Sequence, residues 1–176
     1  MKLKLIVIIT LFLNLSNLLA ANDDKNLSYS RGEENANVLN QYGDKFKPTD
    51  SGYGVDISSQ RQDELDLKSL SFIREASNSE KKIIAVELGG GFGAHSLNMA
   101  MEGATVIMVD IAEMARNTFN KALESKVVKS EDLCFIQKDY RDLNESDIPK
   151  NFDVLYSQRV NYVTYDEAKK IIKVVA

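Results

Sequence analysis

The sequence predicts an α/β fold: a parallel sheet with helices on both faces, incomplete at its carboxyl end and preceded by a signal peptide. Three observations predict it. From Lys82 onward, short apolar runs alternate with segments of helical periodicity, the pattern that builds a parallel sheet through right-handed crossovers. A glycine cluster, Gly89-Gly90-Gly91-Phe92-Gly93, closes the first apolar run. The chain opens on Met1-Lys2-Leu3-Lys4 and an apolar stretch, the layout of an export signal.

The expected organisation is a signal peptide over 1–20, a polar segment over 22–80 that ends in a capping helix, and a partial catalytic-type domain over 81–176. The apolar stretch Leu5–Leu13 is nine residues long. A bilayer-spanning helix needs about 20, so a cleaved signal is preferred to a permanent anchor. Cleavage is expected after Ala20 or Ala21; Leu18 or Leu19 would then stand where a small residue is favoured, which leaves an uncleaved anchor as the alternative. The body is expected to be exported, with membrane contact only through this segment.

Composition narrows the function classes. With 22 Lys plus Arg against 26 Asp plus Glu, the formal charge of −4 gives no broad basic surface for displacing counterions from phosphates, so nucleic acid is not an expected partner. Cys134 is the one cysteine and His95 the one histidine, too few for a disulfide scaffold or a zinc site of nitrogen and sulfur ligands. Cys134, in the middle of the third strand, is expected to be a small buried hydrophobe.

Residues 22–59 are punctuated by Asn, Asp, Ser and Gly and read as loops, with one short helix around Glu34 to Tyr42. Leu67, Leu70, Ile73 and Arg74 then recur at helical spacing, with Asp63, Glu64 and Asp66 in the first turn, and predict a helix to about Ala76. Lys82–Leu88 is the first strand, buried on both faces. Ala94–Met101 is a helix stopped at Gly103, and Ala104–Asp110 is the second strand. Glu113–Lys126, Leu133–Lys138 and Asp153–Tyr156 follow as helix, third strand and fourth strand. Tyr165–Val175 closes as a helix with Ala168, Ile171, Ile172 and Val175 on one face.

The strand-to-helix turn at Gly89–Gly93 is where open parallel sheets bind nucleotides. Gly89-x-Gly91-x-x-Ala94 fits a dinucleotide fingerprint, and Glu87-x-Gly89-x-Gly91-x-Gly93 is an alternative reading of the same residues. Two carboxylates separate them. Asp110, at the end of the second strand, can accept ribose hydroxyls in nicotinamide and adenosyl cofactors alike. Glu87 stands at the mouth of the turn, where it would repel a pyrophosphate but attract an ammonium group. A ligand with an amino-acid moiety and no phosphate fits better.

With these residues the chain resembles the class I S-adenosylmethionine-dependent methyltransferases, whose fold is Rossmann-like, over Lys82 to about Val163. The resemblance implies that S-adenosylmethionine is the cofactor and that Glu87, Gly89, Gly91 and Gly93 hold its methionine part. It implies that Asp110 takes the ribose, that Ile111 lies against the adenine and that Asp139, in Gln137-x-Asp139, is the adenine-side carboxylate. Phe152-Asp153-Val154-Leu155-Tyr156-Ser157-Gln158-Arg159 resembles the fourth-strand motif, with Ser157 and Gln158 facing the cofactor. Gly52-Tyr53-Gly54 and the helix through Leu70 resemble the segment that caps the pocket. No Asp/Asn-Pro-Pro-aromatic run follows the fourth strand, which argues against methylation of nucleic-acid bases and leaves a small molecule or a protein as substrate.

Methyl transfer needs alignment more than a strong base, so no catalytic residue is assigned. Tyr156, Tyr162 and Tyr165 are expected to be packing residues before bases. Arg159 is expected either to pair with a substrate carboxylate or to be solvated. His95 is expected on the cap side of the glycine turn, near the cofactor. Complete domains of the resembled family have further strands, so the fourth strand is expected to present an open edge, to be covered by a partner chain or by the amino-terminal segment. Because the cofactor is made in the cytosol, cytoplasmic retention stands as the alternative to export. A non-catalytic exported binding or remnant protein that keeps the fold is the alternative function, and a nicotinamide-dependent oxidoreductase is disfavoured by Glu87.

Overall fold

The computed structural model describes residues 64–157, 163 and 165–175, together with Asn37. The proposed signal peptide, most of the polar segment after it, and Gln158, Arg159 and Tyr162 lie outside the described residues. Along the chain run helix α1 (Glu64–Ser77), strand β1 (Ile83–Leu88), helix α2 (Ala94–Met101) and strand β2 (Ala104–Asp110). Helix α3 (Met114–Glu124), strand β3 (Leu133–Gln137), strand β4 (Val154–Ser157) and helix α4 (Tyr165–Val175) follow. The expected elements are present here, with ends shifted by one or two residues.

All the strand pairs are parallel, in the order β3-β2-β1-β4. This is an α/β Rossmann-like sheet. β1 lies inside it, which is why Ile83, Ala85, Val86 and Leu88 are all buried. Alternation along each strand divides the core in two. On one face Ile83, Ala85, Val106, Val154 and Tyr156 pack against Leu70 and Ile73 of α1 and Met99 of α2, beside a cluster of Met108 of β2, Leu97 of α2 and Phe119 of α3. On the other face Val86, Leu88, Val109 and Leu155 pack against Ile148, Phe152 and the Ile171 and Val175 side of α4. Helices therefore cover both faces.

Three expectations about burial change. Cys134 is exposed, not buried, because β3 is an outer strand of the described sheet and pairs only with β2 there. Leu67 is 54% exposed, because the inner face of α1 is set by Ser69, Leu70 and Ile73, and Leu67 points away from it. Ile172 likewise leaves the face shared by Ala168, Ile171 and Val175. Among the described residues β4 pairs with β1 alone.

α1 is fixed at both ends. Near its carboxyl end Arg74 Nε donates to Glu102 Oε2 at 2.7 Å, and Ser77 Oγ donates to the Glu102 carbonyl at 3.0 Å. Near its start Asp66 accepts the hydroxyl proton of Tyr156, 90 residues on. The second tie brings α1 over the carboxyl ends of β1 and β4.

Candidate functional site

The parallel register sets the site at the carboxyl ends of β1, β2 and β4. Glu87 lies level with Met108 on β2 and Tyr156 on β4, so these side chains emerge on the α1–α2 face. Beyond Leu88 the chain turns through Gly89, Gly91 and Gly93, with φ of 71°, 56° and 78°. Gly93 is required on two counts: its φ is left-handed, and a Cβ there would lie 2.6 Å from Phe119 Cε1. A Cβ on Gly90 would lie 2.7 Å from Met108 Cε and 2.9 Å from Glu87 Cδ, so this stretch passes directly over the Glu87 carboxylate.

The hydrogen bonds of the turn decide what it can bind. The Gly89 amide donates to the Val109 carbonyl at 2.8 Å, and the Gly93 amide to the Gly90 carbonyl at 2.9 Å. The Gly91 amide donates to Asp110 Oδ2 at 2.8 Å. Glu87 accepts from both the hydroxyl and the backbone amide of Ser96, in the first turn of α2. A pyrophosphate site needs free amides and an open helix start. Here these amides have protein acceptors, and a carboxylate sits at the start of the helix.

Both carboxylates are buried, Glu87 at 4% and Asp110 at 7% exposure. Burial pushes the Glu87 carboxyl up to about 7, against the pull of the Ser96 hydrogen bonds; the charges of Asp110 and Asp66 push the same way. Burial also raises Asp110, and its bonds from the Ala112, Gly91 and Ile111 amides oppose the rise. The floor of the turn thus brings the Glu87 and Asp110 carboxyl groups together, and burial favours the protonated form of each.

The other predicted positions divide. Ile111 is half-buried directly after Asp110. Ser157 Oγ donates to the Leu88 carbonyl at 3.1 Å, joining the ends of β4 and β1 beside the turn. Asp139 is near enough to Asp110 to raise it, but its carboxylate accepts from the Arg141 amide at 2.9 Å and from Arg141 Nε at 2.8 Å. It caps a short turn and pairs with a buried guanidinium. Gln158 lies outside the described residues. Tyr156 is 2% exposed and belongs to the core, as expected.

Sequence reasoning missed Ser96, Asp66 and Ser69. Ser96 carried a usable signal, a hydroxyl in the first turn of a helix three residues after Gly93. Asp66 and Ser69 are polar residues on the apolar face of α1, and their spacing from Leu70 and Ile73 marked them as inward-facing.

A family model described as a methyltransferase domain matches residues 85–176, more than half of the chain. The chain belongs to the methyltransferase-domain family. Members of this family use S-adenosylmethionine as methyl donor. No curated protein matches the chain. Among solved structures it is similar to the magnesium protoporphyrin IX methyltransferase of Synechocystis PCC 6803 with bound SAM, at 18% identity and a TM-score of 0.49, covering 80% of this chain and 70% of that one. It is also similar to coclaurine N-methyltransferase bound to N-methylheliamine and SAH, at 16% identity and a TM-score of 0.46, covering 92% of this chain and 48% of that one. The chain spans about half of the second enzyme's length.

Proposed function

We propose that this methyltransferase-family chain binds S-adenosylmethionine over the Gly89–Gly93 turn and presents its methyl group to a small-molecule or protein acceptor. The observation that carries this reading is the buried Glu87 carboxylate beneath a turn whose Gly89, Gly91 and Gly93 amides are hydrogen-bonded internally. That combination suits a ligand with an ammonium group and disfavours a phosphate.

The residues fit the cofactor. Glu87 supplies the negative charge for the amino-acid end. A carboxylate has about four acceptor positions, so Asp110 retains capacity for one ribose hydroxyl after taking the Gly91, Ala112 and Ile111 amides. Half-buried Ile111 offers an apolar surface beside it. The bound cofactor supplies an electrophilic methyl on a sulfonium. The chain's own task is then to fix that end of the ligand, exclude water with α1 and hold the acceptor in line, which is the larger part of the rate gain for a direct displacement. Tyr156, with its hydroxyl on Asp66 and its ring in the core, is not placed to act as a base.

The amino-terminal Met1–Ala20 segment supports export of the body, and protease treatment of intact producing cells tests it: a body that stays protected in the cytosol contradicts export. The transferase reading is tested by incubating the full chain with methyl-tritiated S-adenosylmethionine and a cell extract. Label is expected in the small-molecule or the protein fraction above a boiled control. Label in neither fraction contradicts catalysis.

A further inference from the structure

Ser96 brings two hydrogen-bonding groups to one carboxylate. Its hydroxyl and its backbone amide both go to Glu87, nine residues earlier on β1. Ser96 is fully buried in the first turn of α2, a helix with no acidic residue of its own in that turn. The first amides of a helix need acceptors from elsewhere, and a helix start favours negative charge. Glu87 fills that place from the neighbouring strand. The glycine turn closes the other side: a Cβ on Gly90 would lie 2.9 Å from Glu87 Cδ and 3.0 Å from Oε2, the oxygen that meets the Ser96 hydroxyl. The carboxylate is thus held between Ser96 and Gly90. Of its about four acceptor positions, two remain for a ligand.

Ser96 also acts on the charge. An ionised carboxylate has no proton to give, so both Ser96 groups then donate to it, and such charge-assisted bonds are about twice as strong as neutral ones. The backbone amide can only donate, so it favours the ionised form whichever way the hydroxyl turns. Burial is the largest influence on Glu87 and raises it; the Ser96 hydroxyl is the strongest influence that lowers it. Around Glu87, among the described residues, stand Asp110 of β2, Asp66 of α1, Tyr156 of β4 and His95 of α2. Both of these carboxylates oppose its ionisation. His95 reaches α1, with Nε2 2.9 Å from Ser69 Oγ and Nδ1 3.4 Å from Asp66 Oδ1.

We propose that Ser96 is the positioning residue for the amino-acid end of the cofactor: it holds the Glu87 carboxylate beneath Gly90 and favours the ionised form that receives the ammonium group. The pairing of Glu87 with an ammonium rests on the proposed function; the hold of Ser96 on the charge of Glu87 does not.

The test compares the full-length wild type with Ser96→Ala, Glu87→Gln and the double variant, each checked for its fold by circular dichroism. Unfolding free energy is measured against pH. Stability tied to a raised carboxyl is lost as pH rises through its folded value, so the wild type is expected to level off above pH 7. In Ser96→Ala the fall is expected to continue about one pH unit higher, the shift expected for losing one charge-assisted bond. In the Glu87→Gln background the Ser96 substitution is expected to leave the shape of the profile unchanged. A Ser96→Ala profile that levels off with the wild type, or that moves equally in the Glu87→Gln background, overturns the proposal. Titration with S-adenosylmethionine then judges the positioning role. Ser96→Ala is expected to bind roughly tenfold more weakly than the wild type at pH 6 and to approach it above pH 9. Equal affinities at pH 6, or a weakening that is the same at both ends, overturn that role. A wild type that fails to bind overturns the proposed function, while the unfolding profiles still judge the hold of Ser96 on Glu87.

Discussion

Gly91 donates its amide proton to the Asp110 carboxylate at 2.8 Å, across 19 residues of chain. This bond ties the glycine turn after β1 to the end of β2, so the carboxylate proposed for the ribose also holds the turn that covers Glu87. The loop's shape and the proposed ribose contact therefore depend on one side chain.

Replacing Asp110 tests that double role. Asp110→Ala leaves the Gly91 and Ala112 amides without their acceptor, and unsatisfied buried donors cost about 1–3 kcal/mol each at most. Denaturant unfolding is expected to show a loss of about 2 kcal/mol, and S-adenosylmethionine affinity is expected to fall at least tenfold. An unchanged affinity removes Asp110 from the ribose site.

Glu87 makes stability depend on pH. Its carboxyl is raised from 4.5 to about 7 in the fold, so the folded state holds a proton that the unfolded chain has released. That stability is complete below about pH 4.5 and is lost as pH rises towards 7, by about 3 kcal/mol in all. Unfolding free energies measured from pH 4.5 to 8 are expected to fall over that range and to fall much less in Glu87→Gln. An equal slope in the variant assigns the effect elsewhere.

In the proposed site the same proton is linked to the cofactor. An ammonium group favours ionised Glu87, so binding below pH 7 must expel the proton. Affinity for S-adenosylmethionine is expected to rise up to about tenfold per pH unit below 7 and to level off above it, and calorimetry in buffers of different ionisation enthalpy would register proton release. A flat profile contradicts the pairing.

How much of this was legible in the sequence depends on the kind of interaction. Ile83–Leu88 and Ala104–Asp110 were legible because a run of apolar residues between turn signals has few other folds available, and Gly89, Gly91 and Gly93 marked the turn. The solvent exposure of Cys134 was not, because the outer place of β3 follows from strand order, which no local pattern encodes. Asp139 is near enough to Asp110 to raise it, yet its pairing with Arg141 comes from the short turn over Tyr140–Asp142, whose geometry composition does not reveal. The His95 contacts join residues 26 and 29 positions apart, and only the fold brings α1 to α2.

Gly93 and Thr118 give two stability tests around α3. Gly93→Ala places a Cβ at φ +78°, 2.6 Å from Phe119 Cε1, and a left-handed non-glycine residue costs about 1–2 kcal/mol before any overlap. A loss of about 2 kcal/mol or more is expected in denaturant unfolding, and a neutral result contradicts the packing described.

Thr118 points the other way. Its Oγ1 is the one buried side-chain polar atom without a hydrogen-bond partner among the described residues. Thr118→Val replaces that hydroxyl by a methyl of similar size and is expected to stabilise by about 1 kcal/mol. A destabilised variant would reveal a partner for the hydroxyl.

The most direct test of the central claim is calorimetric titration of the full chain, its fold checked by circular dichroism, with S-adenosylmethionine and separately with NAD. The expected result is saturable binding of S-adenosylmethionine, weakened by Glu87→Gln, and no binding of NAD. A folded protein that binds NAD, or that binds neither compound, contradicts the account.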